Sequence, residues 1–110
     1  MTTQPPISRD EEGYLVNPQE WTCAFARLAA GEEELDLGED HWVVIRFVRA
    51  YFDEHQVIPD VRHVTAYLST NRQINKKSAK AILFNLFPYG YVKQACKLAG
   101  MKRPRAWSTG

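Results

Sequence analysis

Five side chains in this 110-residue sequence, two cysteines and three histidines, could act as nucleophile, base or metal ligand near neutral pH. A cysteine reacts as its thiolate, which neighbouring cations stabilise. Cys96 has Lys93 and Lys97 beside it and Arg103 and Arg105 a few residues on, so it is the candidate nucleophile. A second reading stays open beside the first. Cys96 shares its helical face with Val92, Ala95 and Ala99, and a thiol in such company is a small, inert core residue. Cys23 stands alone in an amphipathic stretch, and in a reducing compartment both cysteines are expected as free thiols. His41, His55 and His63 form no short ligand pair with either cysteine, so neither a metal site nor a cofactor is expected. There is no glycine-rich phosphate loop, no pair of carboxylates set in a cleft and no Ser/His/Asp arrangement, which leaves hydrolytic and nucleotide chemistry without support.

The elements that must position Cys96 are legible from periodicity. Ile7 to Val16 reads as a hairpin turning at Asp10-Glu11-Glu12-Gly13, with Gly13 free to take positive φ. Asn17, Pro18 and Glu20 have the chemistry of a helix N-cap, first position and capping box. Trp21, Ala24, Phe25 and Leu28 would then be the buried stripe, Gly31 the stop, and Glu32-Glu33-Glu34 a solvated loop. Glu39 and Asp40 open a second helix whose apolar residues, Trp42 to Phe52, cover most of its circumference, leaving Arg46, Arg49 and Asp53 as a narrow polar stripe. His41 reads as a capping or surface residue.

A third helix spans about 61–69, with Val61, Val64 and Leu68 inward, and residues 70–75 connect it to a fourth. Asn75 caps that fourth helix, which runs to Leu86. Pro88 and Gly90 break the chain before a last helix, Tyr91 to Ala99, stopped by Gly100. Lys102-Arg103-Pro104-Arg105 cannot continue it.

Composition bounds the rest. The length allows one core, and 45% hydrophobic residues with three Trp, five Tyr and five Phe are enough to fill it. No apolar run reaches the roughly 18 residues a membrane span needs, and no secretory leader is expected; the cytoplasm is the expected compartment. The net charge of +1 hides a strong asymmetry: all 13 acidic residues lie between Asp10 and Asp60, and ten of the 14 basic ones follow Val61. Such a chain either neutralises itself in packing or turns a basic face to an anionic partner.

Several blocks together identify a family. DEEGYLVN at 10–17, Trp21, GEDHWVVIRFVRAYFDEHQVIP at 38–59, LFPYGYVKQACKLAG at 86–100 and Pro104 resemble the DsrC/TusE family of sulfur-trafficking proteins, in order and at compatible spacing over about residues 10–107. The resemblance implies an α+β fold, a small N-terminal β-hairpin or meander packed on about five helices. It also implies a division into a flexible N-terminus (1–6), one DsrC/TusE-like domain (7–100) and a flexible C-terminal arm (101–110). Family members look like carriers that present a cysteine on that arm and pass a persulfide to partner proteins. The two-cysteine members carry one near the C-terminus and one eleven positions upstream. Carried over, Cys96 matches the upstream cysteine, and Trp107 stands at the near-terminal position. The family's LFPKGP is here LFPYGY, with Tyr89 and Tyr91, and its LPKP is MKRP.

Three functional expectations follow. The resemblance implies a sulfur-relay or sulfite-reductase-type partner (DsrEFH/TusBCD-like or DsrAB-like) engaged through the arm. Trp107, Arg103, Arg105, Lys93, Lys97, Tyr89 and Tyr91 would be its contacts, and carrier chemistry would be impaired or absent. The second is an active TusE-like sulfurtransferase using Cys96 as persulfide carrier. The third is a helix-turn-helix regulator with Lys76, Lys77 and Lys80 facing DNA phosphates and Arg72 and Arg62 extending the basic surface, or contact with a tRNA-bound enzyme. Its weak point is the 70–75 connection, longer than a usual turn of about 3–4 residues. The chain is expected as a monomer or weak oligomer.

Overall fold

A computed structural model describes residues 8–102. Four α-helices carry the architecture: α1 (Cys23–Glu32), α2 (Glu39–His55), α3 (Val61–Arg72) and α4 (Lys76–Leu86). A 3-10 turn (Pro18–Glu20) precedes α1, and a π-helical segment (Tyr91–Cys96) follows α4. α3 packs on α4 and on α2, and the π-helical segment packs on α2. The core is one cluster, with Leu15, Phe25, Ile45, Val48, Leu68, Phe87, Leu98 and Met101 among its most enclosed members.

The N-terminal hairpin is not confirmed among the described residues, which hold no strand there. Asp10 to Gly13 does turn, with Gly13 at φ +90° and the Asp10 carboxylate accepting from the Glu12 and Tyr14 amides, each at 2.9 Å. Yet the two sides meet in a single antiparallel bridge, Arg9 to Leu15. Val16 bonds back to Ser8, and Asn17-Pro18 then turns the chain into the 3-10 segment. Tyr14 and Leu15 are buried all the same, so the turn is held by side chains rather than by strand pairing.

The capping signals at 17–20 belong to the 3-10 turn, not to α1. The Asn17 side chain accepts from the Gln19 amide, Glu20 reaches the Ser8 amide, and α1 starts later with Thr22 as its cap. That shift rotates the buried face: Phe25, Ala26, Ala29 and Ala30 are enclosed, while Leu28 is 57% exposed. Gly31 lies inside α1, and the acidic residues after it are not a free solvated loop. Glu32 forms a paired ion bridge with Arg9 (2.7 and 3.1 Å), and Glu33 reaches both Gln94 and Lys97.

α2 carries the middle of the core through Val44, Ile45 and Val48, with Trp42 and Phe47 only partly buried against it. The side chains whose loss empties most core volume are therefore Phe25 and Phe87. Phe87→Ala is expected to lower unfolding free energy by about 3–5 kcal/mol, read by urea denaturation.

α3 begins at Asp60, whose side chain accepts from the His63 amide, and extends to Arg72. Gln73 then takes the left-handed conformation (φ 58°) without glycine. The link to α4 is thus residues 73–75, half the length read from the sequence, and Asn75 caps α4 as expected.

Candidate functional site

Cys96 is the last residue of the π-helical segment, and that geometry decides its surroundings. A π turn is wider than an α turn, so residues i and i+5 come onto one side. Here those residues are Tyr91 and Cys96. Both are buried, Cys96 at 0% exposure. The Tyr91 hydroxyl donates to the Pro59 carbonyl at 2.6 Å and is hydrogen-bonded to Cys96 as well. Burial pushes the thiol up to about 12, and the Tyr91 hydrogen bond, which pulls the other way, is the smaller effect. Tyr91 is itself raised, chiefly by burial and then by its proximity to Cys96. The site as it stands stores a protonated thiol.

The cations expected to activate Cys96 point elsewhere. Lys97 is largely buried, ion-paired with Glu33 at 3.3 Å and lying 5.2 Å from the centre of the Tyr14 ring. Lys93 is exposed. Gln94, fully enclosed, accepts from the Tyr89 amide and donates to Glu33, fastening the segment to the end of α1.

The exit from this segment is closed by a glycine turn. Met101 N–H bonds the Cys96 carbonyl and Gly100 N–H that of Lys97, both at 3.0 Å, with Gly100 at φ +78°. This is the paired C-terminal motif in which a left-handed glycine satisfies the last carbonyls. Trp21 covers it: its indole N–H donates to the Leu98 carbonyl (2.8 Å). Arg49 lies 4.5 Å from the Trp21 ring centre and donates to the Ala99 and Pro18 carbonyls at 2.8 and 3.2 Å. Its partial burial lowers its pKa. Neither Trp21 nor Arg49 stood out as a site residue in the sequence. A lone arginine on a polar stripe gives no signal until the chain end folds over it. Beside Arg49 lies a small surface cleft lined by Pro18, Gln19, Ala50, Phe52 and Asp53.

Of the expected partner contacts, Tyr89 is 73% exposed and Lys93 is exposed, whereas Tyr91 is enclosed and bonded to the α2–α3 loop. Arg103, Arg105 and Trp107 lie outside the described residues. In the basic set, Arg72 is ion-paired with Asp40 at the start of α2 and Arg62 with Asp60. Lys76, Lys77 and Lys80 are exposed and make no ion pair among the described residues. Cys23, at the start of α1, is an exposed free thiol. His41 caps: its Nδ1 accepts from the Gly38 amide and its Nε2–H donates to the Leu86 carbonyl, both at 3.0 Å. No group of three or more metal-ligating side chains occurs among the described residues, and no helix there is long and apolar enough to cross a membrane.

The four-helix array with a short C-terminal segment packed on α2 is similar to solved structures of DsrC. The solution structure of DsrC from Allochromatium vinosum superimposes with a TM-score of 0.78 at 39% identity, covering 90% of this chain and 88% of that one. The oxidized gamma-subunit of the dissimilatory sulfite reductase (DsrC) from Archaeoglobus fulgidus follows at 0.76 and 31%, with 90% of each chain covered. The family described as DsrC like protein matches residues 2–106. The sulfurtransferase TusE of Photorhabdus laumondii is 39% identical over 98 residues, 89% of this chain and 87% of its own. That of Yersinia pseudotuberculosis is 38% identical over the same length, 90% of its own. The chain belongs to the DsrC-like family.

Proposed function

We propose that this protein works in cytoplasmic sulfur metabolism as a binding member of a persulfide relay, with carrier chemistry impaired or absent. In this reading the domain of residues 7–100, with Met101 packed into its core, presents the rest of the 101–110 arm to a sulfur-relay or sulfite-reductase-type partner. Trp107 and the flanking Arg103 and Arg105 are the anchors, a composition favoured at protein interfaces. The exposed Tyr89 and Lys93 would add contacts from the domain itself. The observation that carries the proposal is Cys96. A carrier needs a thiolate that can meet another protein's persulfide sulfur, and this thiol is enclosed and held protonated. Its neighbours Tyr91, Gln94 and Lys97 are committed to the fold.

The test has two arms. A persulfidated relay donor is mixed with the full chain carrying Cys23→Ser, and intact mass is followed. No gain of a sulfur atom at Cys96 is expected, and stoichiometric gain would establish the active-carrier reading instead. In parallel, purified relay and sulfite-reductase proteins of the same cell are titrated with wild type and Trp107→Ala. Loss of affinity by at least about tenfold is expected for an interface anchor. Unchanged affinity would remove the arm from the interface.

A further inference from the structure

We propose that two copies of this chain associate across the exposed face of α4, side by side and antiparallel about a two-fold axis near Phe84. Lys77, Lys80 and Phe84 fall at i, i+3 and i+7 and so share one face of the helix, and Phe84 is 60% exposed. The charges around α4 run against its own dipole. Its first turn carries lysines and no acid, placed at the positive end of the helix where cations are disfavoured. At the negative end the neighbouring charges are acidic. The bonds from Gly38 to His41 and from His41 to the Leu86 carbonyl hold the start of α2 against the end of α4. Gly38 is thereby held near the end of α4, and the exposed Asp36 and Glu39 lie within two residues of it in the chain.

An antiparallel copy corrects both ends at once. With a rise of about 1.5 Å per residue, Lys80 and Lys77 lie about 6 and 10 Å from Phe84 along the axis. In the dimer they reach past the partner's end of α4 to its acidic 36–39 segment, and the partner's lysines do the same in return. The two Phe84 rings meet at the centre. One patch therefore meets its own copy, as a two-fold interface requires. Two acids of the N-terminal half, Asp36 and Glu39, are thus the complement of two exposed lysines of the C-terminal half. The association does not involve Cys96 or the arm and stands apart from the function proposed above.

Sedimentation velocity on the full wild-type chain at low ionic strength tests this. A concentration-dependent monomer–dimer equilibrium is expected, weakened at least about tenfold when salt rises from about 20 to about 500 mM, because the contacts are exposed charges. Phe84→Ser should weaken it to a similar degree. Lys77→Glu with Lys80→Glu should give a monomer. Adding Asp36→Lys and Glu39→Lys to that variant reverses both ends and should restore the dimer. A chain that stays monomeric at every concentration overturns the proposal. So does a dimer that neither salt nor Phe84→Ser affects, or a four-site reversal that fails to recover it while circular dichroism shows the fold intact.

Discussion

With Cys23 replaced by serine, the folded protein should react with iodoacetamide near neutral pH at least about a thousandfold more slowly than the same chain in denaturant. The attacking species is the thiolate. Raising a thiol from its ordinary value of 9.0 to about 12 removes most of that species at any pH below 9; each unit is a factor of ten. Zero exposure of Cys96 adds a second barrier, since reagent must wait for the segment to open. The same shift carries a stability consequence with a definite sign. A thiol whose pKa is raised on folding holds its proton more tightly in the native state. Its contribution is complete below the unfolded value and is lost as pH rises toward the folded one. Above about pH 9, stability should therefore fall by about 1.4 kcal/mol per pH unit for this group, and Tyr91, shifted the same way, steepens the fall at higher pH. Chemical denaturation across pH 7 to 11 reads the slope. Cys96→Ala should flatten its first part, and an unchanged slope would show that Cys96 is not the group responsible.

Gly100→Ala should be the most damaging single methyl in the protein, lowering stability by on the order of 3 kcal/mol. Two causes act together. At φ +78° a side chain is disfavoured by the backbone alone, and the added Cβ would clash with Trp21 Cδ1 and with its Cβ and Cγ. Relief requires the indole to move, which breaks its bond to the Leu98 carbonyl and its stacking under Arg49. The control is Gly31→Ala, inside α1 with nothing within 4 Å of the new methyl. Gly31 is the next-to-last residue of α1, and replacing a glycine of helical conformation by alanine should gain about 0.4–1 kcal/mol. Thermal unfolding of the two variants should shift in opposite directions; equal shifts would mean that Trp21 does not close the turn at 100. In Gly100→Ala the strain falls on the turn whose amides bond the Cys96 and Lys97 carbonyls, so the same variant should also expose Cys96 to iodoacetamide.

The sequence was sufficient for the helices whose signals are local. Asn75 caps α4 by its own side chain, Gly100 terminates the last turn by its own conformation, and both lie where the residues alone put them. The family blocks were equally legible, because a run such as HWVVIRFVR is specific without any fold. Local signals misled where two readings competed. Asn17-Pro18 is good chemistry for either a 3-10 turn or an α-helix, and only the docking of Trp21 onto Leu98 selects the first. Gln73 closes α3 in the left-handed conformation that a sequence reader looks for at glycine, so the helix ran three residues further than expected.

The state of Cys96 lay beyond the sequence altogether. Spacing placed two lysines near it and could not say that Lys97 turns to Glu33, a partner 64 positions away in the chain. Nor could it give the π turn that brings Tyr91 and Cys96 onto one side, or the bond from the Tyr91 hydroxyl to Pro59. Residue type and order determined the family and where a thiol would be. Whether that thiol is a nucleophile depends on burial and on long-range hydrogen bonds, and those exist only once the acidic end of α1, the α2–α3 loop and the C-terminal segment have packed together.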